Sequence, residues 1–254
     1  MDLFDLTGKV AVVTGGTRGI GLMIARGFLQ AGAARVYISS RKAEAGDAAV
    51  AELAEFGEAV SIPADVSTEA ECIRLAEEVG KREEQVHILV NNAGATWGED
   101  FEKFPESAWD KVLNLNLKAP FFVTRAFLPL LEKAASHEDP ARIINIGSIA
   151  GLQPSAARTY SYSTSKAAVH QLTRNLSKEL APRRITVNAV APGPFESKMM
   201  AATLAAAGDE MNKRVPLGRI GRPDDMAGIA VFLSSRAGSY LTGTIIPVDG
   251  GIAT

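Results

Sequence analysis

The sequence predicts an α/β protein built on one parallel sheet of seven strands, with helices on both faces. Short runs rich in β-branched residues alternate with helical stretches along all 254 residues. Parallel neighbours need crossover connections, which helices supply, so this alternation favours a doubly wound sheet over an antiparallel one. No composition break or internal repeat marks a second unit, and we therefore expect one domain over residues 1–254.

The elements can be assigned in chain order. The predicted strands are KVAVVTGG, RVYISS, AVSIPA, VHILVNNAG, ARIINIGS, ITVNAVAPG and GTIIPVDGG. The first helix, IGLMIARGFLQAGA, places Ile20, Ile24 and Phe28 on one face. Further helices are predicted in EAGDAAVAELAEFG, EAECIRLAEEVGKR, residues 107–134, YSTSKAAVHQLTRNLSKELA and PDDMAGIAVFLSS. The last of these begins with Pro223, at a first-turn position that suits proline.

One segment, residues 194–221, is longer than a crossover needs. It lies between the sixth strand and the last helix and is rich in small residues and methionine. Such a mobile apolar segment is typical of a lid over a binding pocket, and a surface excursion without a ligand role is the alternative.

Charge and composition exclude several classes of function. The formal net charge is −2, so no global basic field favours nucleic acid. No apolar run reaches the roughly 18 residues that a membrane span requires. The first residues, MDLFDLTGKV, are acidic where a signal peptide is basic, which favours a cytoplasmic protein. His87, His137 and His170 are too scattered to predict a metal site.

The first predicted strand runs directly into a glycine-rich turn, TGGTRGIG. Its glycines are Gly15, Gly16, Gly19 and Gly21, and a helix follows. Glycines at a strand-to-helix turn let the backbone approach a pyrophosphate, and the helix N-terminus supplies N–H donors. After the first strand of a seven-strand alternation, this turn predicts a Rossmann-type dinucleotide site.

The end of the second strand indicates which dinucleotide binds. An acidic residue there would hydrogen-bond the adenosine ribose and favour NADH. The strand instead ends with Ser40 and Arg41, and Arg18 lies in the glycine-rich turn. Two guanidinium groups and no carboxylate suit a 2′-phosphate, so we expect NADPH in preference to NADH.

A tyrosine and a lysine lie one helical turn apart in YSTSK. Tyr162 and Lys166 are separated by four residues and share a helix face, whereas Tyr160 has Thr164 at that offset. A free phenol has a pKa near 10, and a nearby ammonium favours the phenolate. We therefore expect Tyr162 to be the proton donor and Lys166 to lower its pKa.

Two further polar residues are candidates for the same site. Ser148 ends the fifth strand, where a hydroxyl would reach a substrate carbonyl, although it could equally cap a turn. Pro120 lacks an N–H and follows Asn116 by four residues, so the Asn116 carbonyl loses its helical partner. That carbonyl could hold a water on a path to Lys166, or the helix could simply kink there. Asn114 is the less favoured alternative, since Lys118 can donate to its carbonyl.

These motifs together resemble the short-chain dehydrogenases/reductases. The resemblance runs from GKVAVVTGGTRGIG to IIPVDGG and includes NNAG, NL at Asn116, GSIAG, YSTSK and APGP. It implies a catalytic tetrad of Asn116, Ser148, Tyr162 and Lys166, with Lys166 also bound to the nicotinamide ribose. The predicted cofactor contacts are Gly15, Thr17, Arg18, Gly19, Ile20, Ser40, Arg41, Asp65, Val66, Asn92, Ala93, Gly94, Tyr162, Lys166, Pro192, Gly193, Phe195 and Ser197.

Within that family the chain looks most like the 3-oxoacyl thioester reductases, notably the rhamnolipid-biosynthesis type. The stretches that suggest this are NNAGATWGE, PARIINIGSIAG and SKAAVHQLTRNLSKELA. The resemblance implies a ketone or acyl thioester as substrate, an acyl-carrier protein as a partner, and a homotetramer. Lys198, Lys213, Arg214 and Arg219 could form a basic patch for the carrier, or a solvated face.

Two alternatives differ from this reading. One is a reductase or dehydrogenase of small ketones, polyols or other secondary alcohols, since a fold does not determine substrate. The other is a nucleotide-binding sensor without chemistry, which should show damage in the tetrad, and the sequence shows none.

Overall fold

The computed structural model describes residues 3–154, 157–196 and 212–253. The seven predicted strands all form and pair in parallel in the order β3-β2-β1-β4-β5-β6-β7, which confirms the predicted fold class. The strands are β1 Val10–Thr14, β2 Arg35–Ser40, β3 Ala59–Pro63, β4 Ile88–Asn91, β5 Ala141–Ile146, β6 Ile185–Pro192 and β7 Ile245–Val248.

Helices connect these strands and cover the sheet on both sides. They are α1 Gly19–Gln30, α2 Ala43–Leu53, α3 Glu69–Gly80, α4 Glu106–Leu113, α5 Ala119–Ala134, α6 Tyr160–Leu180 and α7 Pro223–Ser234. Pro223 takes the first-turn position expected of it. None of the helices in the described ranges is both long and apolar enough to cross a membrane.

The two faces of the sheet bury separate cores, and the alternation of side chains in β1 shows how. Val10 and Val12 face a core shared with helices α3, α5 and α6, whereas Ala11 and Val13 face one shared with α1, α2 and α7. Because successive side chains of a strand point to opposite faces, a strand buried on both faces is mainly apolar on both. This explains the apolar runs in the sequence.

The strand order reverses at β1, and this reversal positions the candidate site. The chain moves from β1 to β2 and β3 in one direction, then returns to place β4 on the other side of β1. Ligands of open α/β sheets bind at such a reversal, beyond the carboxyl ends of the strands. The glycine-rich turn after β1 and the NNAG segment at the end of β4 therefore lie side by side.

The long helical region predicted over 107–134 contains a change of helical register. A π-helical turn, Asn114–Lys118, joins α4 to α5, and the Asn114 carbonyl accepts the N–H of Ala119, five residues on. The expectation of an ordinary partner at Lys118 is therefore corrected. Because Pro120 has no N–H to donate, the chain widens the helix by one residue just before it.

The predicted lid lies largely outside the described residues, which omit 197–211 and with them Ser197 and Lys198. Its two described ends meet. Phe195 forms an isolated parallel bridge with Gly221, and the Gly221 N–H donates to the Pro194 carbonyl at 2.9 Å. The segment thus leaves and rejoins the fold at one point, beside the end of β6.

Candidate active site

The glycine-rich turn after β1 has the backbone that a pyrophosphate site needs. Gly15 and Gly19 adopt φ angles of 66° and 53°, a region that side chains disfavour. Helix α1 begins at Gly19 without a side-chain cap and without an acidic residue in its first turn. Its N–H groups are therefore open to an anion, and the residues present fit the phosphates of a dinucleotide.

Asn92, from the end of β4, holds this turn in place. Its Nδ2 donates to the carbonyls of Thr14 and Gly15, at 2.9 and 3.0 Å. The Thr14 hydroxyl in turn accepts the N–H groups of Asn92 and Ala93, at 3.0 and 3.1 Å. A Cβ on Gly21 would lie 2.4 Å from Asn92 Nδ2, so glycine is required there too. Sequence reasoning did not identify Thr14, although a hydroxyl next to the turn was a usable signal.

The residues predicted to select the cofactor lie beside the glycine-rich turn. Arg18 and Arg41 are both exposed, at the start of α1 and just beyond β2. The Ser40 hydroxyl donates to the Lys42 carbonyl at 3.2 Å, which shapes the turn that carries Arg41. Beyond β3, the Asp65 carboxylate accepts the Ser67 N–H at 3.2 Å, and Val66 is buried beside it. Thr17 and Ile20 lie in the glycine-rich turn and first turn of α1, both partly buried.

The structure brings the Ser148 and Tyr162 side chains together. Ser148 is buried at the end of β5, and its hydroxyl lies close enough to the Tyr162 phenol to lower the pKa of that phenol. Tyr160, two residues earlier on α6, instead packs edge-on against Phe101 and Phe104, with ring centroids 5.7 and 5.4 Å apart. Of the two tyrosines, Tyr162 therefore lies at the carboxyl edge of the sheet. Ser148 also accepts the Ala150 N–H at 3.2 Å, so the turn-capping role given as its alternative is present.

Lys166 reaches the same edge of the sheet from the next turn of α6. Its Nζ donates to the Ile146 carbonyl at 2.7 Å and lies 5.7 Å from the centroid of the Tyr162 ring. Burial lowers the pKa of the Lys166 ammonium to about 8. The amine thus remains mainly charged at neutral pH inside an apolar surrounding.

The pKa of Tyr162 lies above its ordinary value in the protein by itself. Burial raises this pKa, and the nearby Ser148 hydroxyl lowers it by less. Lys166 is not among the groups that shift it, so the lowering of the Tyr162 pKa by Lys166 stays a prediction.

The Asn116 side chain is committed to the protein itself. Its Oδ1 accepts the Ala95 N–H at 2.8 Å, and its Nδ2 donates to the Ala95 carbonyl and to Ser165 Oγ, at 2.9 and 3.0 Å. Ser165 Oγ then donates to the Tyr162 carbonyl at 2.6 Å. Asn116 thereby ties the NNAG segment to the start of α6. The sequence did not predict Ala95 or Ser165 as its partners, because both contacts are long-range.

Gly94 connects the cofactor crevice with this polar group. A Cβ on Gly94 would lie 3.4 Å from Asn116 Oδ1 and 3.7 Å from Lys166 Nζ. The absence of a side chain keeps the approach to Lys166 open.

The last predicted contacts follow β6. Pro192 is buried at its end, and the Gly193 N–H donates to the Val248 carbonyl at 2.9 Å. A Cβ on Gly193 would lie 2.7 Å from Asp249 Cα, so the turn can pack closely only with glycine. Phe195 is buried against Gly221 rather than open to the crevice. The predicted contact at Ser197 falls outside the described residues.

Comparison with known proteins gives matches over almost the whole chain. The family model described as Enoyl-(Acyl carrier protein) reductase matches residues 15–253. The rhamnolipids biosynthesis 3-oxoacyl-(acyl-carrier-protein) reductase of Pseudomonas aeruginosa is 48% identical over 250 residues, which cover 98% of this chain and 97% of that protein.

Solved structures agree with this result. The Pseudomonas aeruginosa RhlG/NADP active-site complex superposes with a TM-score of 0.96 and 47% identity, over 100% of both chains. A short-chain type dehydrogenase/reductase from Mycobacterium marinum gives a TM-score of 0.92 at 31% identity, over 99% of this chain and 98% of that one. From the ordered motifs, the sheet topology and these matches, the chain belongs to the short-chain dehydrogenase/reductase family.

Proposed function

We propose that this protein reduces the ketone of a 3-oxoacyl thioester to a secondary alcohol with NADPH. The observation that carries the proposal is the approach of the Ser148 hydroxyl to the Tyr162 phenol, with the Lys166 ammonium one helical turn away, beside the glycine-rich turn. The likeness to a 3-oxoacyl-(acyl-carrier-protein) reductase supports the substrate class. NADPH, when bound, supplies a hydride to the ketone carbon.

The residues of this chain supply the proton and hold the oxygen. The Ser148 hydroxyl donates a hydrogen bond to the ketone oxygen, and the Tyr162 phenol gives that oxygen its proton as the alcohol forms. The raised pKa of Tyr162 keeps the phenol protonated at neutral pH, so the acid is ready before reaction. The buried Lys166 ammonium stabilises the phenolate that remains.

Reprotonation of Tyr162 then needs a route from solvent. Asn116 lies beside Lys166 across Gly94, and its main-chain carbonyl precedes Pro120. We assign that carbonyl to a water that passes a proton to Lys166 and on to Tyr162. The Asn116 side chain holds the surrounding backbone through Ala95 and Ser165.

The cofactor preference rests on Arg18 and Arg41. Both are exposed at the adenosine end, where forked guanidinium groups can bind a 2′-phosphate. Replacing Arg41→Asp should shift the preference from NADPH towards NADH, measured as the ratio of kcat/KM for the two cofactors. An unchanged ratio would contradict this assignment of the pocket.

The first measurement is the loss of NADPH absorbance with acetoacetyl-CoA, beside a panel of simple ketones and repeated with NADH. Fast oxidation with the thioester alone supports the proposal. Turnover only with free ketones or polyol-derived ketones would instead favour a reductase of small ketones, polyols or other secondary alcohols. Crotonyl-CoA belongs in the panel because the matched family model names an enoyl reductase.

Tyr162→Phe tests the mechanism, and Tyr160→Phe is its matched control on the same helix turn. We expect Tyr162→Phe to bind NADPH normally and lose about 10²–10⁴-fold in kcat, the usual contribution of a positioned acid. Tyr160→Phe should keep its activity because that ring packs against Phe101 and Phe104. Near-normal kcat in Tyr162→Phe would mean that another group donates the proton.

The finer partners are proposed from the family likeness and surface charge. Lys213 and Arg214 are exposed and are proposed to meet an acidic carrier protein. Arg219 binds Asp225 through contacts of 2.6 and 3.1 Å. Arg219 therefore anchors the start of α7 and is removed from the proposed basic patch. A homotetramer is the expected assembly, and light scattering that reported a monomer at micromolar concentration would reject it.

A further inference from the structure

His170 is a buried histidine beside the proposed catalytic pair that the reaction scheme does not use. It lies on α6 four residues after Lys166 and eight after Tyr162, so the three share one helix face. Its side chain is only 2% exposed. Neither ring nitrogen has a well-formed hydrogen bond within the described part of the chain. Buried polar groups normally have partners, so this exception needs an explanation.

The ring fills the space beneath the turn that carries Ser148, residues 147–151. A Cβ on Gly147 would lie 2.2 Å from His170 Nε2, and one on Gly151 would lie 3.0 Å from His170 Cε1. The imidazole thus lies in the space left by two absent side chains, one on each side of Ser148. Gly151 also packs directly on the backbone of α6, because a Cβ on Gly151 would lie 2.6 Å from Ala167 N.

The charges around the ring keep it neutral. Burial, and after it the nearby Lys166 ammonium, lower the pKa of His170 to about 4. The Gly151 carbonyl raises this pKa slightly, and the Arg174 guanidinium lowers it further. A proton relay at neutral pH would need an imidazole that accepts a proton more readily. The ring therefore acts through its shape and its position between Gly147 and Gly151.

We propose that His170 is a positioning residue that holds the 147–151 turn so that the Ser148 hydroxyl stays on the Tyr162 phenol. The ring is rigid, planar and packed against both glycines, so its removal leaves the turn free to sink towards α6. Ser148 would then move away from the phenol and from the substrate oxygen. The inference deepens the proposed function, since it concerns the geometry of the same two hydroxyl groups.

A double-mutant cycle tests whether His170 acts through Ser148. His170→Ala should lower kcat/KM by about ten- to hundredfold, the usual cost of a misplaced group of this kind. In a Ser148→Ala background the same change should cost less than about twofold, because the contact it supports is already gone. If the loss in kcat/KM of the double variant equals the product of the two single losses, the proposal is overturned.

A second readout does not depend on turnover. In protein carrying a carbon-13 label at tyrosine Cζ, the resonance assigned by its loss in Tyr162→Phe reports the hydrogen bond of that phenol. We expect His170→Ala to move this resonance in the same direction as Ser148→Ala. An unmoved resonance would overturn the role of His170 whether or not the protein reduces ketones. Conversely, a moved resonance without ketone reduction would leave the positioning role intact and reject only the proposed function.

The control is His87→Ala, which removes a partly buried histidine. His87 directly precedes β4, at the opposite end of the strands from Ser148, and its Nδ1 accepts the Val10 N–H at 3.0 Å. We expect this variant to lose stability but to keep kcat/KM and the Tyr162 resonance. If His170→Ala does not fold, His170→Gln takes its place, because glutamine has a side chain of comparable reach. The double-mutant cycle and the Tyr162 resonance are then interpreted in the same way.

Discussion

Replacing Lys166 with methionine should make the protein more stable while it removes the reductase activity. Lys166 is 5% exposed, and its Nζ has the Ile146 carbonyl as a partner at 2.7 Å. A buried ammonium without a counter-ion destabilises the folded state, and such a residue persists where function requires it. Methionine keeps the length and the apolar stem of the side chain and removes the charge.

The magnitude follows from the lowered pKa of Lys166. A change from 10.5 to about 8 corresponds to roughly 3 kcal/mol by which folding disfavours the charged amine. Losing the hydrogen bond to Ile146 offsets about 1 kcal/mol of that gain. We therefore expect Lys166→Met to raise the free energy of unfolding by about 2 kcal/mol, or the melting temperature by about 4–8 °C in a chain of this size.

The sign of the pH dependence is also determined. Below pH 8 the amine is protonated in both the folded and unfolded states, so the wild type carries the full penalty. Between about 8 and 10.5 only the unfolded state keeps the proton, and the wild type gains stability as the pH rises. The methionine variant has no such gain, so its advantage shrinks across this window.

Urea denaturation without cofactor, at equal protein concentration, measures both effects. Lys178→Met is the matched control, because Lys178 is exposed on the same helix and its replacement should change stability by less than about 0.5 kcal/mol. A Lys166→Met protein that unfolds at a lower urea concentration than the wild type at neutral pH would refute the reasoning. So would an advantage that stays constant up to pH 10.5.

Two further predictions concern glycines and the cofactor turn. Gly27→Ala should destabilise the protein by about 1–3 kcal/mol, since its Cβ would lie 2.5 Å from the Cβ of Ala227. Gly80→Ala, whose nearest contact would be an ordinary 3.7 Å, should instead stabilise helix α3 by about 0.5–1 kcal/mol, and urea titration of both variants compares them. Asn92→Ala should weaken NADPH binding about tenfold by releasing the glycine-rich turn. Calorimetry measures this affinity, with Asn175→Ala, at an exposed position, as the control. Equal affinity in the two variants would contradict the anchoring role of Asn92.

The fold could be predicted almost completely from the sequence because its signals are local. Each strand is mainly apolar, since both faces of a parallel sheet are buried, although β5 also buries Arg142 and Asn145. Each intervening helix shows a helical period in its apolar residues, and the start of the last helix at Pro223 coincides with a residue that favours helix starts. The register change at Asn114–Lys118 was the exception, because Pro120 indicates a lost donor but not how the helix accommodates it.

The choice of Tyr162 over Tyr160 was also available from spacing, because an offset of four residues places Lys166 on the same helix face whatever surrounds it. The motifs likewise named Ser148, Asn116 and the glycine-rich turn. What the sequence determined by itself was therefore the set of strands and helices, their kind, and which chemical groups accompany them.

Only the tertiary structure decided how those groups are tuned. Burial of Tyr162 and Lys166 depends on elements distant in sequence, so the raised pKa of one and the lowered pKa of the other had no local signature. The anchoring of Gly15 by Asn92 spans 77 residues, and the packing of His170 beneath Gly147 needs α6 to lie against the end of β5. Periodicity and spacing describe what a chain segment prefers, whereas desolvation and contact arise only when separate segments are brought together.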